Sequence, residues 1–196
     1  MRECMPTSTT RIGRPKNEAT NTLIKDQAIT LIRAKGYDNV SISDIVKAAG
    51  VSRQTLYNRW STKAELVLEA FFDLASSKTS LPDLTGSQSR RELLAKFLRE
   101  VFKHIENDGE CLRSLIAAAQ TDPGFREIFW LRFVLPRQEI VTSLLEDARR
   151  RNEIPETSDV DVLSAFIHGA FWYRLLNGQT IDETLADRIA HEIFRR

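Results

Sequence analysis

Apolar residues recur along this chain at intervals of three and four, and few β-branched residues alternate with polar ones. That is the period of a helix face rather than of a strand, and it predicts an all-α protein of about nine helices. Ile24, Ala28, Leu31 and Ile32 form the first stripe, and Gly36 directly after Lys35 is suited to a left-handed stop. Ser41 opens a second helix, with Asp44 three residues on to complete a capping box, and Gly50 ends it. Ser52 then caps a short third helix from Arg53 to about Asn58, and Thr62 with Glu65 opens a fourth.

Residues 76–89, which hold Leu81-Pro82-Asp83 and Thr85-Gly86-Ser87, are rich in turn formers and predict a loop. Beyond it, Leu93, Leu94, Phe97, Leu98, Val101, Phe102 and Ile105 describe one helix, and residues 111–119 a shorter one. Asp122-Pro123-Gly124 starts a long helix through Arg150, bent where Pro136 removes a backbone hydrogen bond. Asn152 takes the left-handed cap, and helices over 160–176 and 184–194, divided by Asn177-Gly178, complete the pattern. The expected organisation is a flexible basic arm over 1–17, a helix-turn-helix domain over 18–66 and a larger helical domain over 67–196.

Composition narrows the class without naming it. With 42% hydrophobic and 28% charged residues, the 196-residue chain is that of an ordinary globular protein. It has no apolar run of about 18 residues and no apolar stretch in its first ten, so no membrane partner is expected and a cytoplasmic address is. The net charge of +1 is unevenly divided: residues 1–65 carry eleven basic and six acidic side chains, net +5, which leaves 17 basic and 21 acidic, net −4, for the rest. A basic front points to a polyanion. Cys4 and Cys111 are too few for a disulfide framework or a metal site and read as free thiols. There is no glycine-rich phosphate loop, no metal-ligand spacing and no nucleophile motif, while Glu146-Asp147 and Asp159 with Asp161 read as surface or capping charges. No catalytic residue, metal or cofactor is therefore expected.

The chemistry concentrates in residues 41–60. A helix-turn-helix needs two short helices at a fixed angle, the second lying in the major groove of DNA and the first bracing it. Ile42, Ile45, Val46, Ala49, Val51 and Leu56 supply an inward face, with Ala49 small enough for close helix approach and Gly50 for the turn. The outward positions are Arg53, Gln54, Thr55, Tyr57, Asn58 and Arg59. Arginine grips guanine in two places, glutamine and asparagine do so with adenine, and threonine meets a thymine methyl. Tyr57 and Lys63 suit phosphates, which position without specifying.

Gly36-Tyr37, Ser41 through Ile45, Ala48 through Ser52, Thr55-Leu56-Tyr57 and Lys63 through Leu66 together resemble the amino-terminal domain of TetR/AcrR-type regulators. The resemblance is tight over residues 24–66; beyond them it extends only to the number, length and order of helices. Trp60 stands where the family usually has Phe, and Asn152 where it often has Gly. Carried over, the resemblance implies that Gln54, Thr55 and Asn58 face bases with Arg53 near the groove edge, and that Ser41, Tyr57 and Lys63 hold phosphates. The segment Arg11 to Lys16, with Arg14 at its centre, either enters the minor groove or remains a free solubilising terminus.

For the larger domain the resemblance implies a small-molecule pocket among the middle helices and dimerisation through the last two. Phe97, Phe102, His104, Phe129, Trp130, Phe133, Phe166 and Trp172 fit either an apolar cavity or plain core packing, and His104 and His168 either ligand contacts or satisfied core positions. Ala165, Gly169 and Ala170 allow close helix approach, while Ile181, Leu185, Ile189 and Ile193 form a stripe that a second subunit or the chain itself must cover. The function implied is a DNA-binding regulator, a repressor released from a palindromic operator by a small hydrophobic or aromatic ligand and acting as a homodimer. The alternative is a helical dimeric interaction module without ligand sensing.

Overall fold

A computed structural model describes residues 15–76 and 81–195, and every regular element among them is helical. Helix α1 (Pro15–Lys35) buries Ile24, Ala28, Ile29 and Ile32 on one face, and Gly36, at φ +80°, ends it by donating its N–H to the Ile32 carbonyl at 2.8 Å. Helix α2 (Ile42–Ala49) carries the reciprocal cap read from the sequence: Asp44 N–H donates to Ser41 Oγ at 3.2 Å and Ser41 N–H to Asp44 Oδ2 at 2.9 Å. Gly50, left-handed, turns the chain into α3 (Arg53–Tyr57), which Ser52 caps. Ile45, Val46, Ala49, Leu56 and Trp60 close this unit from within.

Helix α4 (Lys63–Ser76) packs on α1 and also on α5 (Arg90–Thr121), so the expected boundary at residue 66 falls inside one continuous helix. The two helices expected over 93–119 are one, 32 residues long. The run 106–110 does not break it: Asp108 is paired with Arg33 of α1 and Gly109 lies against Leu175. Gly109 is where the chain comes closest: a Cβ there would stand 3.4 Å from Leu175 Cδ1. A glycine costs a helix about 1 kcal/mol, and here it admits the end of another helix.

The long helix expected from Asp122 to Arg150 is divided more sharply than a bend. Helix α6 (Pro123–Phe129), capped by Asp122, runs into a π-helical turn, Trp130–Val134, before α7 (Leu135–Arg150). Pro136 has no N–H for the carbonyl four residues earlier, and the wider turn is closed instead by Leu135 N–H donating to the Trp130 carbonyl, five residues back. Asn152, at φ +58°, terminates α7 as expected. Asp159 and Asp182 cap α8 (Val160–Leu176) and α9 (Glu183–Ile193).

The apolar stripe of α9 is covered by the chain itself. Leu185, Ala186, Ile189 and Ala190 are buried against α5, and Arg99 clasps Asp187 across the seam, its Nε 2.8 Å from Oδ1. Ile181 is half-buried on the same core. In the chain by itself these side chains pack on the core, and burying each large aliphatic one contributes roughly 1.5–3 kcal/mol to this fold. Among the described residues no helix is long and apolar enough to cross a membrane.

Candidate nucleic-acid interface and ligand chamber

The exposed side of α3 presents Arg53, Gln54, Thr55, Tyr57, Asn58 and Arg59, while Leu56 is wholly buried beneath them. Several of these polar groups are organised by one another. Gln54 Nε2 donates to Asn58 Oδ1 at 2.8 Å, so two amides suited to adenine are braced as a pair. Thr55 Oγ1 lies 2.9 Å from Ser52 Oγ, and Arg53 donates to Ser43 Oγ, tying α3 to the start of α2. Ser41 Oγ donates to Asp44 Oδ2 at 2.6 Å, so this hydroxyl serves the cap. Tyr57 is 47% exposed. Arg14 lies outside the described residues.

Lys63 has a structural task that its sequence position does not reveal. Its Nζ donates to the carbonyls of Tyr37 at 2.8 Å and Val40 at 3.0 Å, and it sits 3.9 Å from the centre of the Tyr37 ring. Burial pushes the ammonium pKa below its usual value and the Tyr37 hydroxyl up to about 12.

Glu69 on α4 joins the α2–α3 unit to the rest of the chain. Its carboxylate accepts from Trp60 Nε1 at 3.1 Å and from Arg132 Nη1 at 3.2 Å, and lies 3.5 Å from Lys25 Nζ. Arg59, at 3.8 Å, completes the cluster. A second bridge runs from α1 to α5, where Arg33 holds Asp108 through two bonds of 2.8 and 2.9 Å. That pair raises the Arg33 pKa further.

Between these bridges lies a chamber of about 810 Å³. Phe71, Phe72 and Leu74 of α4 form one wall, Phe97, Val101, Ile105, Leu112 and Leu115 of α5 another, and Phe133, Pro136, Arg137 and Ile140 a third. His104, Arg33 and Asp108 are its other polar residues. A cavity of this size, mostly apolar with a few convergent polar groups, accommodates a drug-sized molecule. A neighbouring space of about 50 Å³ is bounded by Trp172 and His168 and shares Phe97, Phe133 and Arg137 with the chamber.

The sequence descriptions of two families cover the arrangement. "Bacterial regulatory proteins, tetR family" matches residues 24–70, and "Tetracyclin repressor-like, C-terminal domain" matches residues 82–193. The chain belongs to the TetR family. It is 31% identical over 189 residues to the HTH-type transcriptional regulator YdeS of Bacillus subtilis (strain 168), which spans 93% of this chain and 92% of that one. The crystal structure of TetR family transcription regulator SCO0332 superposes with a TM-score of 0.73 at 25% identity, over 91% of this chain and 97% of that one. The regulator FadR from Bacillus subtilis, crystallised with stearoyl-CoA, shares the fold with a TM-score of 0.69 at 20% identity, over 88% and 97%. The chain is a helix-turn-helix transcriptional regulator.

Within this TetR-family frame, the aromatic residues separate by environment. Phe97, His104 and Phe133 line the chamber, and Trp172 only the smaller space. Phe129 does not reach either: it is buried between Phe125 and Phe133, with ring centres 6.2 and 5.1 Å apart, and belongs to the core. Phe166 is 63% exposed on the outer side of α8, because the register that buries Ser164, Ile167 and Phe171 turns it away. Ala165 and Gly169 share that outer side. His168 Nδ1–H donates to the Ser164 carbonyl at 2.8 Å, and burial, followed by the charge of Arg137, lowers its pKa. Cys111 is a free, buried thiol whose pKa burial raises to about 12; Cys4 lies outside the described residues.

Sequence reasoning missed Arg137, Phe71 and Phe72. The adjacent phenylalanines on α4 were legible as an apolar pair, but nothing in the sequence marked Arg137 as inward-facing.

Proposed function

We propose that this chain is a homodimeric repressor that binds a palindromic operator in double-stranded DNA and releases it when a small, largely apolar molecule fills the chamber. The observation that carries the reading is the shared wall: Phe71, Phe72 and Leu74 line the chamber from the helix whose Glu69 holds Trp60 at the exit of the recognition helix. A ligand that displaces this wall acts on the orientation of α3. Gln54, Thr55 and Asn58 read bases with Arg53 at the groove edge, and Ser41, Tyr57, Lys63 and Arg14 meet phosphates or the minor groove. Residues 18–66 act as the DNA-reading unit and 67–196 as the sensing and pairing unit, in the cytoplasm and with no catalytic step.

The second subunit docks on α8, whose outer side exposes Val162, Phe166, Tyr173 and Leu176 around the small Ala165 and Gly169. One helix-turn-helix reads one half-site, and a two-fold axis through α8 supplies the other. The test is a reciprocal titration by fluorescence anisotropy. Ligand must weaken operator binding by the same factor by which operator weakens ligand binding. Equal ligand affinity with and without operator refutes the release mechanism.

A further inference from the structure

The chamber wall carries three charged side chains among the described residues: Arg33, Asp108 and Arg137. Arg33 and Asp108 neutralise each other through their two-bond pair. Among the described residues Arg137 has no carboxylate partner. Its Nη1 donates to the Phe133 carbonyl at 2.7 Å and its guanidinium lies 3.9 Å from the Phe133 ring centre. The Nε and Nη2 edge, the part of a guanidinium that fits a carboxylate with two parallel bonds, has no acceptor among the described residues. The nearest titratable group across the smaller space, His168, is itself held toward its neutral form, first by burial and then by Arg137. The chamber thus has an apolar interior and one uncompensated cation.

We propose that the ligand of this chamber is an amphipathic organic anion, a carboxylate on an apolar body, whose carboxylate seats on the open edge of Arg137. This rests on the reading of the chamber as the sensing site and specifies the chemistry it senses. A charge left unpaired against an apolar wall is costly, and the partial burial of Arg137 pushes its pKa down to about 10. An incoming carboxylate offsets that cost, which a neutral molecule of the same shape does not. The stacking of the guanidinium on Phe133 fixes the plane in which the carboxylate is received. The seat also adjoins the signal route: Phe133 and Arg132 are consecutive in the π-helical turn, and Arg132 bonds Glu69. A ligand drawn to Arg137 therefore pulls on the segment that steadies Trp60.

The experiment is calorimetric titration of the full chain with 2-naphthoate and octanoate, each against its own methyl ester, at pH 7.5. We expect at least one acid to bind tenfold or more tighter than its ester, the order of one charge-assisted pair. In Arg137→Gln the acid-to-ester ratio falls to about one, and Arg137→Lys restores part of it. The wild-type ratio stands by itself should Arg137→Gln not fold. Esters binding as tightly as acids overturn the proposal and leave the chamber as a site for neutral ligands. A ratio that survives unchanged in Arg137→Gln also overturns it. No binding by any of the four compounds overturns the proposal together with the sensing role of the chamber.

Discussion

Trp60 Nε1 donates to Glu69 Oε2 at 3.1 Å, across the junction between the recognition helix and the helix that carries it. Trp60 is 2% exposed, and the carboxylate that accepts from it also accepts from Arg132 next to the chamber. Replacing Glu69 by Ala leaves the indole N–H without its partner and separates three cations from their common anion. Stability measured by urea unfolding is expected to fall by about 1–3 kcal/mol. More specifically, the factor by which a chamber ligand weakens operator binding is expected to shrink toward one, with ligand affinity itself retained. A variant with full coupling would show that the link runs elsewhere.

Lys63, at the start of α4, tests how a cation divides its work between fold and phosphate. With Nζ committed to the Tyr37 and Val40 carbonyls, Lys63→Met is expected to cost about 1–3 kcal/mol of stability. The slope of log affinity against log salt should change by less than the roughly 0.9 that removal of one phosphate-neutralising cation produces. An unchanged unfolding midpoint together with the whole of that change in slope would assign Lys63 to the phosphate alone.

The DNA-reading unit was the most legible part of the chain, because local rules determine it. Caps at Ser41 and Ser52 and the left-handed stops at Gly36 and Gly50 act within one turn of their own positions, and so does the apolar spacing of Ile45, Ala49 and Leu56. What the sequence left open is decided by partners far along the chain. The stripe on α9 looks the same whether α5 or another subunit covers it, and Phe166 and Phe133 are equally aromatic on paper. Gly109 and the run around it read as a break, yet the packing of the end of α8 keeps α5 whole. Arg137 escaped notice for the same reason: an arginine on α7 shows its burial only once the walls of the chamber are assembled.

Asn58 and Gln54 are expected to act together. Their 2.8 Å bond means that Asn58→Ala removes one base contact and also frees the Gln54 amide to rotate. Selection from a randomised operator library should then show relaxed preference at two adjacent positions, whereas Gln54→Ala leaves the preference at the Asn58 position better defined. Loss confined to a single base position in Asn58→Ala would show that Gln54 holds its orientation unaided.

Arg90 is the most buried charged side chain among the described residues, 1% exposed, and it organises the loop before α5. Its guanidinium donates to Asp147 Oδ2 at 2.5 Å and to the carbonyls of Leu84 and Gln88 at 2.6 Å each. Arg90→Met leaves these acceptors unpaired and is expected to cost about 3 kcal/mol or more. The pH dependence follows from Asp147, whose pKa is held low by the hydrogen bond from Arg150 and then by that from Arg90. A depressed carboxyl pKa contributes stability above the unfolded value of about 4, lost as pH falls through the lower folded value. Denaturant titrations between pH 5 and 2, taken as an approximate window around that value, should show a shallower acid loss in Arg90→Met than in the parent. Parallel curves would show that Arg150 alone sets the Asp147 pKa.

Phe166 separates pairing from folding. Its side chain is 63% exposed in the chain by itself, so Phe166→Arg should leave stability of the subunit within about 0.5 kcal/mol. Placed on the open side of α8, the arginine sets like charges against each other across a two-fold axis. Sedimentation velocity at micromolar concentration is expected to show a monomer with an unchanged helical spectrum. Operator affinity should fall by about 100-fold or more, because the second helix-turn-helix no longer binds at the high effective concentration that a joined partner provides. A dimer that survives Phe166→Arg would move the interface off this side of α8.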